Sequence, residues 1–147
     1  MSYKSKEQKD HDRRLAVYDE RIEVAKSFLI KALDGPDAAM FVACNSVTYE
    51  PVCVSSAGMI LTSIRGNIKL HSSREEASKT AVKAHSKSLD HVFVVMRLSS
   101  ALNFHIEWLK SRKDVTLRLH AAMLSKRRIA AQRELVGEGK SPWWKKV

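Results

Sequence analysis

The hydrophobic positions of this chain fall into one helical stripe near the front, a strand-like middle and long helical stripes behind. Leu15, Tyr18, Ile22, Ala25, Leu29 and Leu33 recur at three- and four-residue steps. That spacing predicts an amphipathic helix over 15–33. Asp34-Gly35-Pro36 stops it, because Gly suits the position after a helix end and Pro cannot continue the ladder. Residues 1–14 are polar and mixed in charge and read as an arm. Between 38 and 71 the apolar runs are short: Phe41-Val42, Val47-Thr48-Tyr49, Val52-Cys53-Val54 and Met59 to Thr62. These are strand formers punctuated by Ser55, Ser56 and Gly58, so short β structure or irregular packing is expected. Ile60–Ile64 and Ile68–Leu70, joined by Arg65-Gly66-Asn67, have the form of a hairpin.

From Ser72 the helical period returns. Ser73 and Glu76 make a capping box that opens a helix to about His85. Lys87-Ser88-Leu89-Asp90 breaks it. Val92, Val95, Leu98, Leu102, Ile106 and Leu109 then form one stripe, widened by Met96, Phe104 and Trp108. A helix over 89–110 is expected, about 33 Å long at 1.5 Å per residue. Arg112-Lys113-Asp114 reads as a corner, with Asp114 capping a last helix. Leu117, Ala121, Leu124, Ala131 and Leu135 share a face of that helix, and Gly137 and Gly139 end it. The fold class read from these patterns is mainly α. It is a long antiparallel helical hairpin within 72–138, preceded by a helical and irregular, partly β, extension over 1–71. Residues 139–147 form a basic tail carrying Trp143 and Trp144.

Charge sharpens this picture. Of 147 residues, 26 are basic and 16 acidic, a net +10. Residues 1–71 hold 10 basic and 9 acidic residues, so nearly all of the excess lies behind residue 71. Such asymmetry points to nucleic acid or an anionic membrane as partner. A reader of folded polyphosphate needs fixed cations on a rigid frame. Arg112, Lys113, Arg118, Lys126, Arg127 and Arg128 supply them, with Asp114 as a helix cap or an acceptor for a base amino group. Lys87, Ser88, Arg133, Trp143, Trp144 and Lys145 are weaker candidates. The two tryptophans beside Pro142 suit base stacking or a protein groove.

Other chemistries find little in the chain. Cys44 and Cys53 lack the spacing of a zinc knuckle or a redox pair and are expected as buried free thiols. The six histidines have no ligand partner at metal-site spacing. No nucleophile elbow and no Gly-rich phosphate loop occurs. The expectation is therefore no enzyme, no metal and no cofactor. No run of eighteen apolar residues predicts a transmembrane helix. Met1 to Arg14 has no secretory core, and Glu7, Asp10 and Asp12 weaken a mitochondrial presequence.

Laid out from Ser88 to Arg128, the sequence resembles the small-subunit ribosomal protein S-fifteen family. Ser88-Leu89-Asp90-His91-Val92-Phe93-Val94 falls on the opening of that family's second helix, without a gap to the corner. Arg112-Lys113-Asp114 falls on its Lys-Lys-Asp corner, and Lys126-Arg127-Arg128 on its third-helix basic cluster. Pro142-Trp143-Trp144-Lys145 is similar to the tail of eukaryotic members. The resemblance implies a structural constituent of the ribosome that binds a three-way junction of small-subunit ribosomal RNA. It also implies neighbouring ribosomal proteins, and a bridge to the large subunit, as partners. Lys113 and Asp114 would touch RNA at the corner, and Arg127 and Arg128 would face backbone. The departures fall on base-reading positions: Ser88 for Gly, Phe93 for Gln, Glu107 for His, Leu117 for Ser and Glu134 for Tyr. They favour backbone-based recognition and a divergent member, with a mitochondrial ribosome expected ahead of a cytoplasmic or plastid one. The rival readings are a basic helical DNA- or RNA-associated factor outside the ribosome, and a peripheral membrane binder.

Overall fold

The structure, a computed structural model, describes residues 5–61, 64 and 67–137. Helix α1 spans Lys6–Leu33 and is followed by a short 3-10 turn, Pro36–Ala39. Strands β1 (Phe41–Asn45), β2 (Cys53–Val54), β3 (Ile60–Leu61) and β4 (Asn67–Ile68) come next. Helix α2 (Arg74–Lys87), strand β5 (Phe93–Arg97) and helix α3 (Leu98–Gly137) are the remaining elements of the described residues. The protein is mainly helical, with a small strand-containing region.

Helix α1 begins nine residues earlier than its apolar stripe. Ser5 accepts a hydrogen bond from the Gln8 N–H at 3.2 Å, and Glu7 lies in the positive first turn. No Gly or Pro interrupts the polar residues that follow, so 6–14 are helix rather than a loose arm. The predicted stop holds: Leu33 is the last helical residue before Asp34-Gly35-Pro36. Helix α2 starts as expected, with Ser73 Oγ accepting from the Glu76 N–H at 3.3 Å. Glu76 does not reach back to complete the box; its carboxylate meets Lys79.

Two expectations for the second half are corrected. Residues 93–97 are strand, not the first turns of a helix over 89–110. β5 pairs antiparallel with β1, from Phe41 opposite Arg97 to Asn45 opposite Phe93. Val94 and Val95 suit a pleated surface, and β1 offers a partner edge that helix periodicity takes no account of. The Leu98 N–H donates to the Met40 carbonyl at 2.8 Å, where the strand gives way to α3. The corner at Arg112-Lys113-Asp114 is absent. α3 runs through it as one helix of 40 residues, about 60 Å long. Arg and Lys are good helix formers, and no Gly or Pro is present to break the ladder there. Asp114 caps nothing; its carboxylate meets Arg118 one turn later at 3.0 Å. The helical hairpin expected within 72–138 is therefore absent; the packed helix pair of this fold is α1 with α3.

The strand region is also rearranged. β3 and β4 do not pair with each other; both flank β2, in the order β3-β2-β4. Residues 65 and 66 of the expected turn lie outside the described residues. Single bridges Phe41–His71 and Cys44–Pro51 join this small sheet to the β1–β5 pair. Asn45 organises the turn after β1: its Oδ1 accepts from the N–H groups of Val47 and Thr48 at 2.8 and 3.1 Å. Tyr49, at φ 59°, closes it in the left-handed region.

The core draws on both sides of residue 71. Val42 and Cys44 of β1 pack with Ala32, Leu98, Ala101 and Leu102. Ala43, Val52, Ala81, Ala84 and Phe93 form a second cluster under α2. Cys44 and Cys53 are buried free thiols, as expected. Burial pushes the Cys44 thiol up to about 12, so it is inert at neutral pH. No helix of the described residues is long and apolar enough to cross a membrane.

Three measurements test this architecture. Leu109, fully buried between α1 and α3, should lose about 2–5 kcal/mol of stability on replacement by Ala. Leu89, inside the helix read from sequence but 75 % exposed here, should change by less than about 0.5 kcal/mol. Lys113→Pro should cost about 3 kcal/mol in chemical denaturation because a continuous helix passes through it, whereas a corner would tolerate it. His71 gives a pH signature. Its Nε2 shares a 2.8 Å hydrogen bond with Thr80 Oγ1. Burial first, and the Lys69 charge second, hold its pKa below the ordinary 6.5, against the opposing pull of Glu76. The unfolded chain therefore binds this proton more readily than the folded one. Stability should be full above pH 6.5 and fall as the pH drops below it, and His71→Asn should flatten that slope.

Candidate nucleic-acid interface

The α1–α3 hairpin is held by two matching heptad lines. On α1 the inward positions are Gln8, His11, Leu15, Tyr18, Ile22, Ala25, Leu29 and Ala32, all buried or half-buried. Ala32 rather than the exposed Leu33 completes the stripe. On α3 they are Leu102, Ile106, Leu109, Lys113, Thr116, His120 and Met123. Alternating three- and four-residue steps are the signature of a coiled-coil seam. Near the strands the seam is apolar: Ile22, Ala25, Ile106 and Leu109 form one cluster, with Tyr18, Leu29 and Trp108 against it. Beyond Leu109 it turns polar.

The polar stretch explains two of the sequence candidates. Lys113 binds the Asp19 carboxylate across the seam. Arg127 grips Glu7 with both arms of its guanidinium, the second at 3.0 Å. The Arg127 hydrogen bond and charge hold the Glu7 carboxyl below the usual carboxylate range, and Glu7 raises Arg127 in turn. Between these pairs the rings of His11 and His120 stack at 3.7 Å and 10°. Lys113 and Arg127 therefore tie α1 to α3.

The other cations on α3 divide by position. Arg118 pairs with Asp114 on the outer surface. Arg112, Lys126, Arg128 and Arg133 have no acidic partner among the described residues. Arg112, Lys126 and Arg133 fall on one line, spaced fourteen and seven residues apart, or about 21 and 10.5 Å along the axis. Arg128 lies on the opposite side, within the Leu117–Leu135 stripe. Of the weaker candidates, Lys87 ends α2 and Ser88 is its C-cap. They belong to a different element from the α3 cations. Trp143, Trp144 and Lys145 lie outside the described residues.

Three cationic residues escaped the sequence reading. Arg14 of α1 joins Arg112 on the wall of a cavity of about 630 Å³ between the helices, with Tyr18 and His120 also lining it. Periodicity within 1–14 was the available signal, since Gln8 and His11 extend the α1 stripe one step at a time. Lys69 and Lys83 share a hollow with Lys87 beside β3, which only the folded chain assembles. His71, His85, His91 and His105 are used structurally or lie apart. Nδ1 of His105 donates to the Thr48 carbonyl and Nδ1 of His85 to the His91 carbonyl, each at 2.7 Å. No group of three or more potential metal ligands occurs among the described residues.

The cross-seam ion pairs make a directional prediction. Arg127→Glu should lower the thermal midpoint by setting like charges against Glu7. The swap Glu7→Arg with Arg127→Glu should recover most of the loss, read by circular dichroism melting. No recovery in the swap would mean that the pair does not join the helices.

No family model, curated protein or solved structure matches this chain.

Proposed function

We propose that this chain is a non-catalytic nucleic-acid-binding protein that lays one side of α3, flanking the α1 seam, along a phosphate backbone. The observation that carries the reading is the line of cations Arg112, Lys126 and Arg133 on one helix, with no acidic partner among the described residues. That helix holds eight basic and three acidic residues. A straight rod with cations at heptad spacing presents charge to a backbone without reading base edges, so affinity comes from phosphates and released counterions. Arg14, across the hairpin from Arg112, widens the cationic face.

A narrower reading makes the chain a structural protein of the small ribosomal subunit, in a mitochondrial ribosome first, binding its ribosomal RNA beside neighbouring ribosomal proteins. Its support is the ungapped likeness from Ser88 to Arg128. In this fold it requires contact along a helix side, since the corner of that family is part of α3. Lys113 and Arg127 are engaged with Asp19 and Glu7, so RNA contact would fall mainly to Arg112, Lys126, Arg128 and Arg133.

The test is fluorescence anisotropy against a structured RNA and a random duplex DNA over a salt series. Replacing Arg112, Lys126 and Arg133 by Ala should weaken binding to both. It should also flatten the log–log salt slope by up to about 2.7, at roughly 0.9 per lost phosphate contact. An unchanged slope removes the interface. Preference for the RNA, with co-sedimentation of the tagged protein on small subunits, supports the ribosomal reading; equal affinity for both probes supports a general binding factor.

A further inference from the structure

Strand β1 divides the molecule into two faces. Val42 and Cys44 join the cluster of Ala32, Leu98 and Leu102, whereas Ala43 between them joins Ala81 and Ala84 of α2. α2 therefore covers the face of the β1–β5 pair away from α1 and α3. On that side a hollow of about 480 Å³ opens between β3 and the last turns of α2. Lys69, Lys83 and Lys87 line it. The Lys69 N–H donates to the Val52 carbonyl at 3.0 Å, which fixes that residue just after β4. Lys83 and Lys87 stand one turn apart on the exposed side of α2, whose buried positions are Ala77, Thr80, Ala81 and Ala84. No carboxylate lines the hollow, and none of the three lysines has an acidic partner among the described residues. Outside those residues the sequence has one acid, Glu138, which follows the far end of α3. The Ser86 hydroxyl donates to the Val82 carbonyl at 3.1 Å, so the ammonium groups are the side-chain donors left for a ligand. Like charges one turn apart on a helix repel, and Lys69 brings a third to the same hollow. An anion seated among them removes that repulsion.

We infer that this hollow is a phosphate-binding site, separate from the cationic line of α3. Ammonium groups are point charges with three donors each and suit a phosphate, whereas planar carboxylates favour the fork of arginine. Three positive charges match a terminal phosphate, or successive phosphodiesters of a backbone, better than the single charge of a carboxylate. The phosphate belongs either to a nucleic-acid backbone or to a small phosphorylated molecule; both present the same oxygens. The nearest cation of the α3 line, Arg112, lies about 21 Å along that helix from Leu98, and the sheet stands between it and the hollow. That separation exceeds the screening length at physiological salt, so the two sets of cations act independently. His71 reports on the site. After burial, the Lys69 charge is the second cause that holds its pKa below the ordinary 6.5. A phosphate beside Lys69 offsets that charge, so occupation should raise the His71 pKa.

Two probes separate the sources. The full chain is titrated with inorganic tripolyphosphate and followed by nuclear magnetic resonance, and its binding to a structured RNA is followed by anisotropy over a salt series. Tripolyphosphate should shift the amide signals of Lys69, Lys83 and Lys87 and move the His71 titration to higher pH. Combining Lys69→Gln, Lys83→Ala and Lys87→Ala should weaken tripolyphosphate binding by about tenfold or more. Lys83 and Lys87 are exposed helix positions that favour Ala, so the helical circular dichroism signal should persist. Lys83→Glu alone is the second variant should the triple one fail to fold. Replacing Arg112, Lys126 and Arg133 by Ala should leave the response of Lys69, Lys83 and Lys87 intact, which keeps this site distinguishable from the α3 interface. If the phosphate is a backbone phosphate, the lysine variant should also bind RNA more weakly and flatten the log–log salt slope by up to about 2.7. Unchanged RNA binding with lost tripolyphosphate binding assigns the hollow to a small phosphorylated molecule. If neither probe distinguishes the lysine variants from the wild type, the inference is overturned.

Discussion

The antiparallel seam between α1 and α3 is the contact on which the rest of the molecule depends. It joins the two ends of the described chain, and its apolar half places Ala32 and Leu98 against β1. Four buried residues, Ile22, Ala25, Ile106 and Leu109, anchor the hairpin beside the strands. Farther out, hydrophobic burial gives way to ion pairs and a histidine stack, which hold the helices in register with less apolar area. Exposed ion pairs of this kind contribute little each, so the distal hairpin is the weaker half.

The strands serve this hairpin. β5 hands the chain directly to α3, and β1, paired with β5, receives it from α1 through the turn at Pro36–Ala39. Both helices thus leave the same small sheet side by side. α2 closes the other face of that sheet with small residues, Ala77, Ala81 and Ala84, which allow close approach. A helix of 40 residues is set in direction by a base of only a few strands.

Charge divides its labour along α3. Lys113 and Arg127 are consumed in joining two helices, while Arg112, Lys126 and Arg133 lie on one line without an acidic partner among the described residues. A count of basic residues treats these five alike. Position around the helix separates a structural cation from one available to a ligand, and it also separates the cationic line from the leucine–alanine stripe.

Local patterns were legible wherever a short-range rule governs. The α1 stripe, its stop at Asp34-Gly35-Pro36, the Ser73 start of α2 and the buried thiols could all be read from neighbouring residues. So could the stripe from Leu117 to Leu135 and the excess of cations around it. What the pattern could not decide was where long-range pairing would overrule it. Phe93 to Met96 fit a helical period, yet the free edge of β1, some fifty residues earlier, drew them into a strand. Arg112-Lys113-Asp114 resembled a corner, yet with no Gly or Pro the helix simply continued, its partner supplied by α1 rather than by its own second half. By itself the sequence determined which residues are apolar, cationic or helix-forming. Only the tertiary structure decided which stripe is covered and which cations are spent, because both depend on contacts between residues about a hundred positions apart.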